Sequence, residues 1–168
     1  MSEDSGSANP YGTPTTNGPR PIGRAQGVTN RVVRTLLRLP GLSGVIGKRL
    51  ATLHVVGRKS GRSYDIPVAY TAQGQTLLIG TSRRPWVRNL ATGTPLTITR
   101  GARPEQFDPV VHTEAEDVLR LFEIIARDNR TNAGYNGIGF DAAGNPNKAD
   151  IYQTWQQGGV VIELRPVG

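Results

Sequence analysis

Cysteine is absent from this chain of 168 residues, and histidine occurs only twice, as His54 and His112. Without cysteine there is no disulfide framework, no thiolate nucleophile and no thiolate metal site. No spacing of His, Asp and Glu matches a metal site, and neither a Gly-x-Ser-x-Gly elbow nor a Walker-type phosphate loop is present. His54 falls in an apolar run of strand type, which suits a structural role better than general-base work. No apolar run approaches the roughly 18 residues that a membrane span requires, and no charged-then-apolar leader pattern opens the sequence. A cytoplasmic protein is the expectation. Aromatic residues make up only 6% of the chain and do not interleave with the cations, which counts against a stacking platform for nucleic acid.

Negative charge is also scarce where positive charge gathers. Residues 28–103 hold 13 Lys or Arg and one acid, Asp65, a local +12, whereas residues 104–168 hold ten acids and five bases, a local −5. So uneven a field suits an anionic partner, and nucleic acid, phospholipid or a polyanionic cofactor would each answer to it.

What is present reads as a disordered N-terminal tail, residues 1–27, followed by a single domain, 28–168. Of those 27 residues, 17 are Gly, Pro, Ser, Thr or Asn, with almost nothing to bury. Periodicity predicts a helix from about Thr29 to Leu39, with Arg31, Arg34 and Arg38 on one face, so residues 28–39 offer a weak membrane-surface contact. Strands are predicted over Leu50–Val56, Tyr64–Ala72, Thr76–Thr81, Leu96–Arg100, Glu105–His112 and Val160–Leu164. Pro109 predicts an edge or a bulge in the fifth. A short helix is predicted from Pro85 to about Leu90. Thr113-Glu114-Ala115-Glu116 reads as a capping box opening a helix to about Arg127, and Asn129–Lys148 reads as a long loop. A further short helix is capped by Asp150 and stopped by Gly158-Gly159. Short antiparallel strands with helices at the ends make an α+β barrel.

Between the first two strands lies Gly57-Arg58-Lys59-Ser60-Gly61-Arg62. Its glycines permit a tight turn, and its cations and backbone N–H groups can converge on an anion. The same six residues also suit a plain solvated hairpin turn.

Taken with Pro67, with Ser82-Arg83-Arg84-Pro85-Trp86, and with Asn89-Leu90, this turn resembles that of the deazaflavin-dependent nitroreductase family. The resemblance covers residues 50–100 well and the last strand loosely. It implies a split β-barrel of about six mostly antiparallel strands with peripheral helices, and an oxidoreductase using the reduced deazaflavin F420, with FMN the alternative cofactor. A cofactor carrier without turnover is the non-enzymatic alternative.

The resemblance implies that Arg58, Lys59 and Ser60 hold the cofactor's phosphate and anionic tail. The run Tyr64, Asp65, Ile66, Pro67, Val68 and Ala69 would pass beside its ring, with the backbone of Pro67 and Val68 toward the ring's polar edge. Ser82, Arg83 and Arg84 would close over it, with Trp86 and Asn89 at the next helix start. Tyr135, Tyr152 and Trp155 would wall a small-molecule acceptor site, with Tyr152 and Ser82 the catalytic candidates. The chain departs from the family in separating Ser82 from Trp86 by only three residues. It also has Ala69, followed by Tyr70, where an aromatic facing the substrate is expected. Oligomeric state is left open by these patterns.

Overall fold

The computed structural model describes residues 8–20 and 49–168. The helix expected around residues 29–39, with its membrane-facing arginines, lies outside the described residues.

Seven strands form one antiparallel sheet: β1 (Leu50–Val56), β2 (Ser63–Ala69), β3 (Thr71–Gln73), β4 (Thr76–Ser82), β5 (Leu96–Arg100), β6 (Arg103–His112) and β7 (Gly159–Pro166). Their order is β2-β1-β5-β6-β7-β4-β3. The expected single strand Tyr64–Ala72 is therefore two. The chain bends at Tyr70, whose N–H donates to the Arg49 carbonyl at 2.9 Å, and passes from one edge of the sheet to the other. Since one residue joins the two edges, the sheet must curl upon itself. The result is an α+β split barrel.

Alternation along the strands sorts the core into two layers. Leu53, Val55, Leu77, Ile79, Ile98, Ile162 and Leu164 fill the barrel. Leu78 and Val161, on the opposite face, pack against Val118, Phe122, Ile125 and Ile151. Gly80 makes the closest approach possible, for a Cβ there would stand 2.5 Å from the Phe122 ring.

Two of the strand prolines, Pro67 and Pro109, sit where a missing N–H is harmless. Pro67 is on the edge strand β2. Pro109 pairs with Leu164 of β7, but β5 ends opposite Phe107, so β6 has one neighbour there.

Among the described residues, three α-helices cover the outer layer: α1 (Ala115–Asp128), α2 (Arg130–Tyr135) and α3 (Lys148–Gln156). The capping box does not form. Glu114 occupies the N-cap and makes no side-chain cap bond, while the Thr113 carbonyl receives the Trp155 indole N–H at 2.9 Å. The expected loop 129–148 contains α2, capped by the Asn129 side chain. Asn147, not Asp150, caps α3. Among the described residues no helix is long and apolar enough to cross a membrane.

Of the N-terminal tail, residues 8–20 lie against α3 through polar rather than apolar contacts. Both oxygens of the fully buried Asp150 carboxylate accept from this segment: the Thr15 N–H at 2.6 Å, the Thr15 hydroxyl at 2.6 Å and the Thr16 N–H at 3.3 Å. Gln153 donates to the Thr16 carbonyl at 3.0 Å, and Asn9 to that of Ala149 at 2.8 Å.

Candidate functional site

Strand register gathers most of the expected site at one end of the barrel. The 57–62 turn joins β1 to β2 there, and pairing of His54 with Thr97 brings the start of β5 alongside. Pairing of His112 with Val161 and of Ser82 with Gly159 places the ends of β6 and β4 and the start of β7 at that same end. A 3-10 turn, Pro85–Asn89, crosses it.

The basic turn is built by its own backbone. Gly57 and Arg62 close the hairpin, N–H to carbonyl, at 2.8 Å, and Gly61 takes φ +67, a left-handed conformation that favours glycine. The Asn89 side-chain oxygen accepts the Arg58 N–H at 3.0 Å, tying the turn to the 3-10 segment. Ser60 faces inward. Its hydroxyl oxygen accepts the Arg62 N–H at 3.3 Å and lies over Gly57, where a Cβ would meet it at 2.6 Å. The side chains of Arg58, Lys59 and Arg62 are exposed.

Away from this end, among the described residues, five cations pair with carboxylates, whereas Arg20, Arg103, Arg130 and Lys148 do not. Arg49 pairs with Asp128, Arg100 with Glu105, Arg120 with Asp117, Arg127 with Glu123 and Arg165 with Glu163. The two bonds from Arg100, at 2.6 and 2.7 Å, raise its guanidinium further above its ordinary value and hold Glu105 low. By contrast, Arg58, Lys59, Arg62, Arg83, Arg84 and Arg88 have no carboxylate partner among the described residues.

Strand β2 commits only alternate residues to its neighbour β1. Hydrogen-bonded pairs at Gly57–Arg62 and Arg49–Tyr70 bracket the β1–β2 ladder. Alternation then assigns the backbone groups of Tyr64, Ile66 and Val68 to β1, and directs the Pro67 carbonyl and the Ala69 backbone away from β1. Val68 is therefore corrected: its side chain is core and its backbone is committed to the sheet. The Asp65 carboxylate turns to the outer face, 2.8 Å from His54 Nδ1, and His54 Nε2 lies 2.8 Å from the Thr99 hydroxyl. His54 is thus held on the outer face between Asp65 and Thr99. Tyr70 packs on the barrel core with the Arg100 guanidinium 5.7 Å from its ring.

Beside the 3-10 turn, Arg83, Tyr152, Trp155, Gln156 and Gly158 line an open cleft of about 450 Å³. The Arg83 N–H donates to the Gly158 carbonyl at 3.0 Å, and the Arg84 N–H to that of Ser82 at 2.7 Å. Trp155 stands 5.2 Å, ring to ring, from Tyr152. Trp86 is half-buried against the barrel core. Tyr135 does not join the cleft. It is 63% exposed at the end of α2, beneath the Arg20 guanidinium. Sequence reading missed Gln156 and Gly158 as cleft residues, since Gly158-Gly159 reads simply as a helix stop. It also missed Tyr11, whose ring lies 5.8 Å from Tyr152.

No protein-family model matches the chain, and no curated protein matches it. Solved structures do. One described as a domain-swapped dimer is 13% identical at TM-score 0.50, over 83% of this chain and 95% of that one. An F420-H2 dependent reductase is 13% identical at TM-score 0.49, over 70% and 95%. A pyridoxamine 5'-phosphate oxidase-related, FMN-binding protein of Nostoc punctiforme is 12% identical at TM-score 0.45, over 87% and 82%. The likeness is one of fold, the split barrel.

Proposed function

We propose that the chain is an oxidoreductase that holds reduced coenzyme F420 at the cationic end of the barrel and serves a small, electron-poor acceptor such as a quinone, an enone or a nitro compound. The observation that carries this reading is the set of six cations without acidic partners among the described residues, at the barrel end that also bears the aromatic cleft. Unpaired cations around a glycine turn suit phosphate and carboxylate ligands, to which each charge-assisted bond contributes about 1.5–3 kcal/mol.

In this reading Arg58 and Lys59 hold the phosphate and anionic tail, and Asn89 keeps their turn in register. The Pro67 carbonyl and the Ala69 backbone, directed away from β1, face a ring's polar rim in this reading. Arg83, Arg84 and Ser82 close the loop above. The cofactor, when bound, supplies hydride. The protein orients the acceptor in the cleft and delivers the proton that completes the reduction, for which the Tyr152 hydroxyl is the group at hand.

Titration of the purified full chain with F420 and with FMN tests the reading, because the two absorb and fluoresce at different wavelengths. F420 binding that weakens in the Arg58→Ala, Lys59→Ala double variant, with oxidation of reduced cofactor on adding an acceptor, is the expected result. FMN binding alone would transfer the chemistry to a flavin. F420 binding without turnover across an acceptor panel would make the chain a carrier, and binding of neither cofactor would overturn the reading.

A further inference from the structure

The N-terminal segment is attached to α3 at several points but touches the cleft side of that helix at one. Ala149, Asp150 and Gln153 hold the segment, whereas Tyr152 and Trp155 line the cleft. Tyr11 crosses between the two. Its N–H is fixed by the Asn9 side chain at 3.0 Å, and Asn9 is itself bonded to the start of α3. The Tyr152 ring is thus held between Trp155 at 5.2 Å and Tyr11 at 5.8 Å. Trp155 cannot yield easily, because its indole N–H is committed to the Thr113 carbonyl.

Tyr11 is 49% exposed, so it buries too little to be explained as core. A polar segment loses conformational freedom on being ordered, and here the ordering ends by placing one aromatic ring against a cleft residue.

We propose that residues 9–16 form the outer support of the acceptor cleft and that Tyr11 is a positioning residue for Tyr152, setting the width of a slot for a planar, electron-poor ring. The proposal rests on the reading above only in taking the cleft as the acceptor site. The slot selects flat acceptors because tilted aromatic neighbours 5–6 Å apart stabilise one ring orientation, an effect worth a few-fold to about tenfold in binding.

The test uses the full chain, with the small quinone 2-methyl-1,4-naphthoquinone as probe, followed by quenching of tryptophan fluorescence without cofactor. Tyr11→Ala is expected to weaken quinone binding about 3- to 10-fold, with Tyr11→Phe restoring it. Asn9→Ala, which cuts the anchor without touching the ring, should give a smaller loss in the same direction. The unfolding midpoint should stay close to wild type in all three, so a general loss of structure is told apart. Tight quinone binding unchanged by Tyr11→Ala overturns the proposal, as does a wild-type chain that binds no quinone. Cofactor titration of the same samples judges the oxidoreductase reading separately, since Tyr11→Ala should leave cofactor affinity as it was.

Discussion

Thr15 bonds Asp150 twice, through its N–H to Oδ1 and its hydroxyl to Oδ2, each at 2.6 Å. Thr16 and the Gly139 N–H supply the remaining donors. A buried carboxylate that lost them would face an apolar surround, so the segment and the acid depend on each other.

Asp150→Asn replaces one acceptor oxygen with an amide group that meets donors. The expected loss is about 1.5–3 kcal/mol, the range for hydrogen bonds to a charged group, read from urea unfolding. Thr15→Val should lose less. The two together should lose clearly less than their sum, because both break one cluster. Additive losses would show the contacts to be independent.

This coupling is why the N-terminal segment was illegible in the sequence. Composition counts what a segment can bury, and residues 8–20 bury little. Their partners lie far along the chain, chief among them Asp150, 135 positions away from Thr15. The bend at Tyr70 was hidden for a similar reason. Tyr64–Ala72 alternates like one strand, and only the distant Arg49 carbonyl and the change of sheet edge divide it. Strands with a barrel face, such as Leu77 and Ile79 against Leu78, were legible because the period of two is local. Of the candidate site, the basic turn was legible in its own residues, and the Tyr152–Trp155 pair only through the family resemblance. The exclusion of Tyr135 could not, because α2 lay unrecognised inside an apparent loop.

Gly80 gives a packing test. Gly80→Ala sets a methyl against Phe122, and overpacking of this kind costs about 1–3 kcal/mol. Phe122→Leu in the same chain should recover part of that loss. If Gly80→Ala is neutral by thermal unfolding, α1 does not rest on β4 as closely as the 2.5 Å approach indicates.

Acid stability depends in part on Glu163. Burial raises its carboxyl, but bonds and charge from Arg165 and His112 outweigh burial and hold it below the usual glutamate range. A group whose folded value is depressed stabilises the fold above its unfolded value, about 4.3, and loses that contribution as pH falls through the folded value. Melting temperature should therefore fall on acidification below about pH 4. Glu163→Gln should flatten that part of the profile. An unchanged acid limb would assign it to other carboxylates.

Asn89→Ala isolates the scaffold of the basic turn from its charge. The variant removes the acceptor for the Arg58 N–H and leaves every cation in place. Stability should drop by about 1 kcal/mol, the net worth of one ordinary hydrogen bond. F420 affinity should drop several-fold with its salt dependence intact, whereas Arg58→Ala should reduce the salt slope as well. Equal slopes in the two variants would mean that Arg58 does not meet the ligand.

Tyr152 is where stacking and chemistry part. Its ring lies between Tyr11 and Trp155 while its hydroxyl belongs to a residue of the open cleft. Reduction of a quinone by hydride needs a proton as well, and a tyrosine hydroxyl can donate one if it lies within hydrogen-bond reach of the acceptor oxygen. Tyr152→Phe keeps the ring and removes the donor. If Tyr152 gives the proton, turnover in the chemical step should fall about 10²–10⁴-fold with cofactor affinity unchanged. If it serves only as a wall, Tyr152→Phe should match wild type and Tyr152→Ala should raise the acceptor KM instead. Solvent deuterium sharpens the distinction, since an isotope effect present in wild type should change in Tyr152→Phe only when that hydroxyl carries the proton in flight. Neither variant altering turnover of any accepted substrate would remove α3 from the acceptor site altogether.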